Sequence, residues 1–209
     1  AGLATLLGIA ASPPPADIAL RHASIVDVTT GAIGPDRRIL IAGDRIVSIN
    51  PEDSSRPDAA REVDLSGAFV IPGLWDMHVH LMEYPGVSSE SVADALFPLL
   101  LANGVLGVRD MGTHEFATLA RFRGEVNSGV RVGPRLVITG RARDGIPPTH
   151  GLKRPEGTAA VAGPAVRDLK AQGADFVKVY ERLSVEACEA IAEECRRQNL
   201  PFTGHTPLA

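Results

Sequence analysis

In the stretch VIPGLWDMHVHL, Val70 to Leu81, two histidines stand one residue apart in an otherwise apolar run. In an extended strand, residues two apart share a face. Asp76, His78 and His80 therefore project one way, and Met77 and Val79 the other. Two neutral imidazoles about 7 Å apart along a strand can converge on one metal ion. A hydrogen-bonded pair of core histidines is the competing reading. A second signal lies in DFVKVY, where Phe176, Lys178 and Tyr180 share a face. A lysine in the middle of an apolar strand is costly to bury while charged, and burial drives its amine toward neutral. A neutral amine can add carbon dioxide. A nitrogen–carbon bond forms, a proton leaves, and the carbamate is an anionic oxygen ligand able to bridge two metals. An ion pair at the strand mouth is the alternative there. A third strand, PFTGHTP, presents Thr203 and His205 on one face.

Further residues are weaker candidates. His150 lies in the Pro/Gly-rich loop GIPPTHGLKRP and is a candidate substrate contact. Tyr180 shares its face with Lys178 nearer the strand end, where it can contact substrate or a developing oxyanion. Asp110, ending VLGVRD, reads as a supporting or turn residue, and Asp76 as a hydrogen-bonding orienter. His22 and His114 read as surface or loop residues without partners. Arg141 and Arg143 suit either a carboxylate ligand or ordinary loop charge.

The elements that must position these groups fall into two patterns. From Asp17 to about residue 68, short β-branched runs such as IALRHASIVDV and RILIAGDRIVSIN alternate with turn-forming clusters, which predicts a small all-β segment. From residue 69 onward, strands alternate with helices. The strands are LWDMHVHL, VLGVRDMG, RLVITGRA, DFVKVY and PFTGHTP. The helices are SVADALFPLLLANG, opened by Ser91, then EFATLARFRGEVNSG, then GPAVRDLKAQG with Pro164 near its start, and VEACEAIAEECRRQN. Such alternation predicts an α/β fold with a parallel sheet of βα units. Functional residues of βα barrels come from several strand ends on one face, so the three signals above reinforce one another.

Bulk properties narrow the function classes. The 209 residues are 44% hydrophobic and 22% charged, enough for a globular core. A net charge of −4 and only 4% aromatics give no footprint for nucleic acid. Cys188 and Cys195 lie seven apart on one helix, about 10 Å of rise. That is too far for a disulfide, whose Cα atoms lie within about 7 Å. With Ile191 and Ala192 they form a helical stripe of small buried hydrophobes. AGLATLLGIAAS, followed by PPP, is too short to span a bilayer and is similar to the apolar core of a secretory signal, although it lacks a basic flank. Residues 1–16 are therefore expected to be a signal-like or disordered leader. The protein is expected to be exported if they are a signal and cytoplasmic otherwise, with no integral membrane segment.

The motifs ILIAGDRIVSI, EVDLSGAFVIPGLWDMHVHL, GVLGVRDMG, QGADFVKVY and PFTGHTP together resemble the amidohydrolase superfamily, in the group of imidazolonepropionase-like proteins and metal-dependent Xaa-Pro dipeptidases. The resemblance covers residues 17–209. It implies a partial (β/α)8 TIM barrel, about strands one to five, in residues 69–209, preceded by an N-terminal β-sandwich segment in 17–68. By motif position, His78 and His80 resemble the first-strand ligands of a buried metal, Lys178 the carboxylated fourth-strand lysine bridging two metals, and His205 the fifth-strand ligand of the second. The implied cofactors are two divalent ions, zinc first among them. The implied reaction is hydrolysis of a C–N bond in a small amide or dipeptide of Xaa-Pro or N-acyl amino acid type. A non-catalytic metal-binding fragment and a single-metal cyclic amidase or deaminase are the alternatives, and a homo-oligomer is left open. The superfamily pattern continues with a sixth-strand histidine and an eighth-strand aspartate acting as general base. Neither falls within these residues, so the chain is expected to be part of a longer protein.

Overall fold

A computed structural model describes residues 16–52, 59–148, 153–155 and 158–207, with the backbone alone for 153–155. The chain divides into two compact units between Pro72 and Gly73. The leader expected over 1–16 lies outside the described residues, Ala16 apart.

The first unit is one five-stranded sheet. β1 (Ile18–Val26), β2 (Ile33–Ala42) and β3 (Arg45–Pro51) form an antiparallel meander, and β4 (Arg61–Asp64) and β5 (Phe69–Val70) pair in parallel with β1. The β1–β2 hairpin is closed by Asp27, whose Oδ1 accepts from Thr29 N at 2.8 Å, and by Gly31 in a left-handed conformation at φ +75°. Ala19, Ala23, Ile39 and Leu40 form the small buried core.

The second unit is mixed α/β. β6 (Leu74–Val79), β7 (Val105–Asp110) and β8 (Arg135–Ile138) form one parallel sheet. β9 (Ala142–Asp144), β10 (Lys153–Pro155), β11 (Val177–Val179) and β12 (Phe202–Gly204) form another, ordered β10-β9-β11-β12. Asp175 stitches the two sheets: its N donates to Ile138 O at 2.9 Å and its Oδ2 accepts from Ile138 N at 2.8 Å. Helices α1 (Ser89–Ala102) and α2 (Phe116–Asn127) cover a core around Phe97, Val108, Phe122 and Ile138, with the two phenylalanine rings edge to face at 5.9 Å. Helices α3 (Ala159–Ala171) and α4 (Val185–Arg197) cover a second core around Val166, Leu169, Val177, Val179 and Ile191. Alternation along β11 buries Val177 and Val179 toward those helices and turns Lys178 to the opposite face.

Four local expectations change. Ser88, not Ser91, caps α1, because its hydroxyl accepts from Ser91 N at 3.2 Å. Helix α3 starts at Ala159, so Pro164 lies inside it. Ala162, Ala165, Val166 and Leu169 bury one helical stripe, and that packing extends the helix across the proline. RLVITGRA is broken after Ile138. There Thr139 Oγ1 donates to Phe176 O at 2.7 Å, and Gly140 lies so close to Leu169 that a Cβ would meet its Cδ2 at 2.8 Å. The buried stripe of α4 runs through Ala187, Ile191, Glu194 and Cys195, leaving Cys188 and Ala192 half-buried. Glu194 is tolerated there because Arg167, Arg197 and Gln198 all reach its carboxylate. Both cysteines are free, and burial pushes the Cys195 thiol up to about 11, so it serves as packing.

Candidate metal centre

In the second unit, parallel strands gather polar groups at their C-terminal ends. His78 lies next to the end of β6 and His80 just beyond it, with their rings 5.6 Å apart. His80 Nδ1 lies 3.0 Å from Gly112 O and 3.3 Å from Glu83 Oε1. The fully buried Asp110 secures this arrangement from β7. Its Oδ2 accepts from Leu81 N at 2.8 Å and its Oδ1 from Gly112 N at 3.0 Å. One carboxylate thus fixes the peptide after His80 and the residue whose carbonyl meets the His80 ring. Burial pushes Asp110 up to about 6, against the opposing effect of those two N–H donors.

Lys178, in the middle of β11, is 2% exposed, and its Nζ lies 5.8 Å from the centre of the Tyr180 ring. The Tyr180 ring in turn lies 4.0 Å from the ring of His205, which follows β12. His205 Nδ1 is 2.9 Å from Glu181 Oε1. A cavity of about 380 Å³ is lined by His78, Arg109, Lys178, Glu181, Thr203 and His205 among others. Burial, then the positive charges of Lys178, His80, His205 and Arg109, hold the His78 imidazole below its ordinary range. That favours the neutral ring, which is the ligating form.

The donor chemistry fits a divalent ion that accepts nitrogen ligands. His80 and His205 each engage Nδ1 with an oxygen, which leaves Nε2 as the ring nitrogen available for coordination. The ring nitrogens of His78, His80 and His205 do not all lie within 4.8 Å of one another. Among the described residues, His22, Asp36 and Glu52 of the first unit do. In that trio both Glu52 oxygens are engaged, by Arg21 Nε at 2.6 Å and His22 N at 3.2 Å. A guanidinium so placed opposes a cation, and the trio reads as an ion-pair cluster.

The structure thus brings His78, Lys178 and His205 to one cavity, with His80 and Tyr180 beside it. His150 lies outside the described residues. Asp76 accepts from the backbone N of its own neighbour His78 at 3.1 Å. His114 is not without a partner, since Arg141 donates to its Nδ1. His22 also has one, Asp36 Oδ1 at 2.9 Å, across the β1–β2 pair. Arg143 is not a loop charge: it is buried on β9. Two cavity residues escaped the sequence reading. Arg109, whose Nε donates to Met77 O at 2.8 Å, is a charge in mid-strand, so the argument applied to Lys178 would have found it. Glu181 sits just past a strand, where alternation has no force.

No family model matches the chain. An adenine deaminase of Klebsiella pneumoniae (strain 342) is 32% identical over 142 residues, 66% of this chain and 22% of that relative. A structure assigned as a prolidase from Bifidobacterium longum is 28% identical with a TM-score of 0.76, covering 92% of this chain and 50% of that one. A prolidase complexed with N-methylphosphonate-L-proline has the same TM-score at 21% identity, covering 90% and 56%, and so attests the fold alone. The chain therefore spans about a fifth of that adenine deaminase and about half of these solved structures. The sequence relatives and the fold neighbours are members of the amidohydrolase superfamily, and the chain is similar to them over most of its length.

Proposed function

We propose that this chain carries the metal-binding part of an active site that hydrolyses a C–N bond in a small amide or dipeptide. The observation that carries this reading is the meeting of His78, Lys178 and His205 at one cavity, with His80 beside His78. Divalent-metal chemistry is general to the superfamily. The finer assignment is ours. His78 and His80 would hold one ion and His205 a second, and Lys178, as a carbamate, would supply an anionic oxygen ligand. Zinc suits three imidazoles. The wider placing of His205 supports two ions rather than one. When bound, the ions lower the pKa of a water and polarise the scissile carbonyl.

The chain's own residues supply position and charge. Asp110 and Gly112 fix the loop and ring of His80. Arg109 places a positive charge on the cavity wall, suited to a substrate carboxylate. Tyr180 lies against His205, where its hydroxyl can meet substrate, and His150 is assigned the same task from its loop. No residue of this chain is assigned as general base, which the resemblance puts on a later strand. Strands β6, β7, β8 with β9, β11 and β12 are read as five strands of a (β/α)8 barrel, and β1–β5 as part of a β-sandwich. No helix among the described residues is long and apolar enough to cross a membrane. Export by a signal-like leader remains part of the proposal.

A single-metal deaminase is the second reading, favoured by the adenine deaminase relatives. The buried Lys178 and the separate His205 argue against it. The test uses the full-length protein that contains this chain, stripped of metal and reloaded with zinc, with and without bicarbonate, and offered Xaa-Pro dipeptides, N-acyl amino acids and adenine. Hydrolysis of an amide that needs both zinc and bicarbonate is expected. Deamination of adenine with one ion per chain, or metal binding without turnover of anything, would replace the proposal.

A further inference from the structure

We propose that Glu181 is a positioning residue for His205, a role that deepens the metal-centre reading above and rests on it. The carboxylate lies 2.9 Å from His205 Nδ1, and the Tyr180 ring packs against the imidazole at 4.0 Å. Both partners are half-buried on the wall of the cavity that Lys178 and His78 also line. A carboxylate accepts only, so a neutral His205 must put its proton on Nδ1 and carry its lone pair on Nε2. Glu181 thereby selects the tautomer that can coordinate through Nε2, and Tyr180 limits rotation of the ring. The geometry parallels that at His80, whose Nδ1 meets Gly112 O at 3.0 Å, with one difference. A backbone carbonyl is fixed by the fold, whereas Glu181 is a side chain that substitution can remove. A carboxylate behind a ligating histidine also raises its basicity, and losing such a partner typically weakens metal binding about 10–100-fold.

Two readouts test this, one of them independent of metal. Nitrogen-15 NMR of the metal-free protein at about pH 8.5, where imidazoles are ordinarily neutral, reports which His205 nitrogen is protonated. We expect the Nδ1–H form in the parent, a mixture in Glu181→Ala, and the Nδ1–H form restored in Glu181→Gln, whose amide oxygen still accepts. Zinc competition against a chromophoric chelator then reads stepwise affinities. Glu181→Ala is expected to weaken one step about 10–100-fold and to leave the other unchanged. In a His205→Ala background, Glu181→Ala should have no further effect. An unaltered tautomer in Glu181→Ala would overturn the proposal. So would an undiminished loss of affinity in the His205→Ala background, which would make Glu181 a ligand in its own right. If the parent binds no zinc, the metal-centre reading fails, and the tautomer result still decides whether Glu181 orients His205.

Discussion

Replacing Asp110 with asparagine should change how the second unit's stability depends on pH. The carboxyl is fully buried and shifted from 3.8 to about 6. A carboxyl whose folded pKa is raised binds its proton more tightly when folded than when unfolded. Its stabilising contribution is therefore complete below about pH 4 and is lost as pH rises through about 6. A shift of about two units is worth roughly 3 kcal/mol, at about 1.4 kcal/mol per unit. Asparagine does not titrate in this range. It keeps one acceptor for Leu81 N or Gly112 N and turns an N–H toward the other. The variant should therefore be less stable than the parent at pH 4 by roughly 1–3 kcal/mol, the cost of one unsatisfied buried donor. The gap should then close, or reverse, by up to about 3 kcal/mol on going to pH 7. The assay is urea unfolding at a series of pH values, followed by the fluorescence of Trp75. It is the chain's single tryptophan and packs at Gly107 in the second unit. A stability difference that stays flat from pH 4 to pH 7 would refute the reasoning, because it would mean that burial does not raise this carboxyl.

Three further outcomes follow from specific contacts. Gly204→Ala should cost more than about 2 kcal/mol in the same unfolding assay, since its Cβ would lie 2.0 Å from Val179 O and force β12 off β11. Ser184→Ala should cost about 1 kcal/mol and lower the Tm, because the Ser184 hydroxyl accepts from Ala187 N at 3.2 Å at the start of α4. Lys178→Met keeps a chain of similar length in the buried position. Its circular dichroism should match the parent, while carbon-13 NMR with labelled bicarbonate should show a carbamate signal in the parent alone.

What the sequence made legible follows the strength of local periodicity. Period-two alternation placed Lys178 opposite Val177 and Val179 and put His78 and His80 together, because a parallel strand leaves its side chains no other choice. Helix ends were less legible. Ser88 and Ser91 lie one turn apart and both suit a cap, and only the folded backbone chooses between them. Pro164 argued for a helix start, yet the burial of Ala162, two residues earlier, outweighed that preference. The partners least visible were non-local. His22 and Asp36, both at positive φ, +56° and +52°, meet across the paired strands β1 and β2, a contact between residues fourteen apart that no local pattern states. Glu181 reaches His205 only because β11 and β12 lie side by side, which no spacing in the chain states.

The central claim is that His78 and His80 on one side, and His205 on the other, hold separate ions around Lys178. Native mass spectrometry of zinc-loaded protein counts them directly. The account predicts two ions per chain, one in the His78→Ala/His80→Ala double variant, and one in His205→Ala. A single ion in the parent, lost in both variants alike, would contradict it and return the site to a one-metal centre.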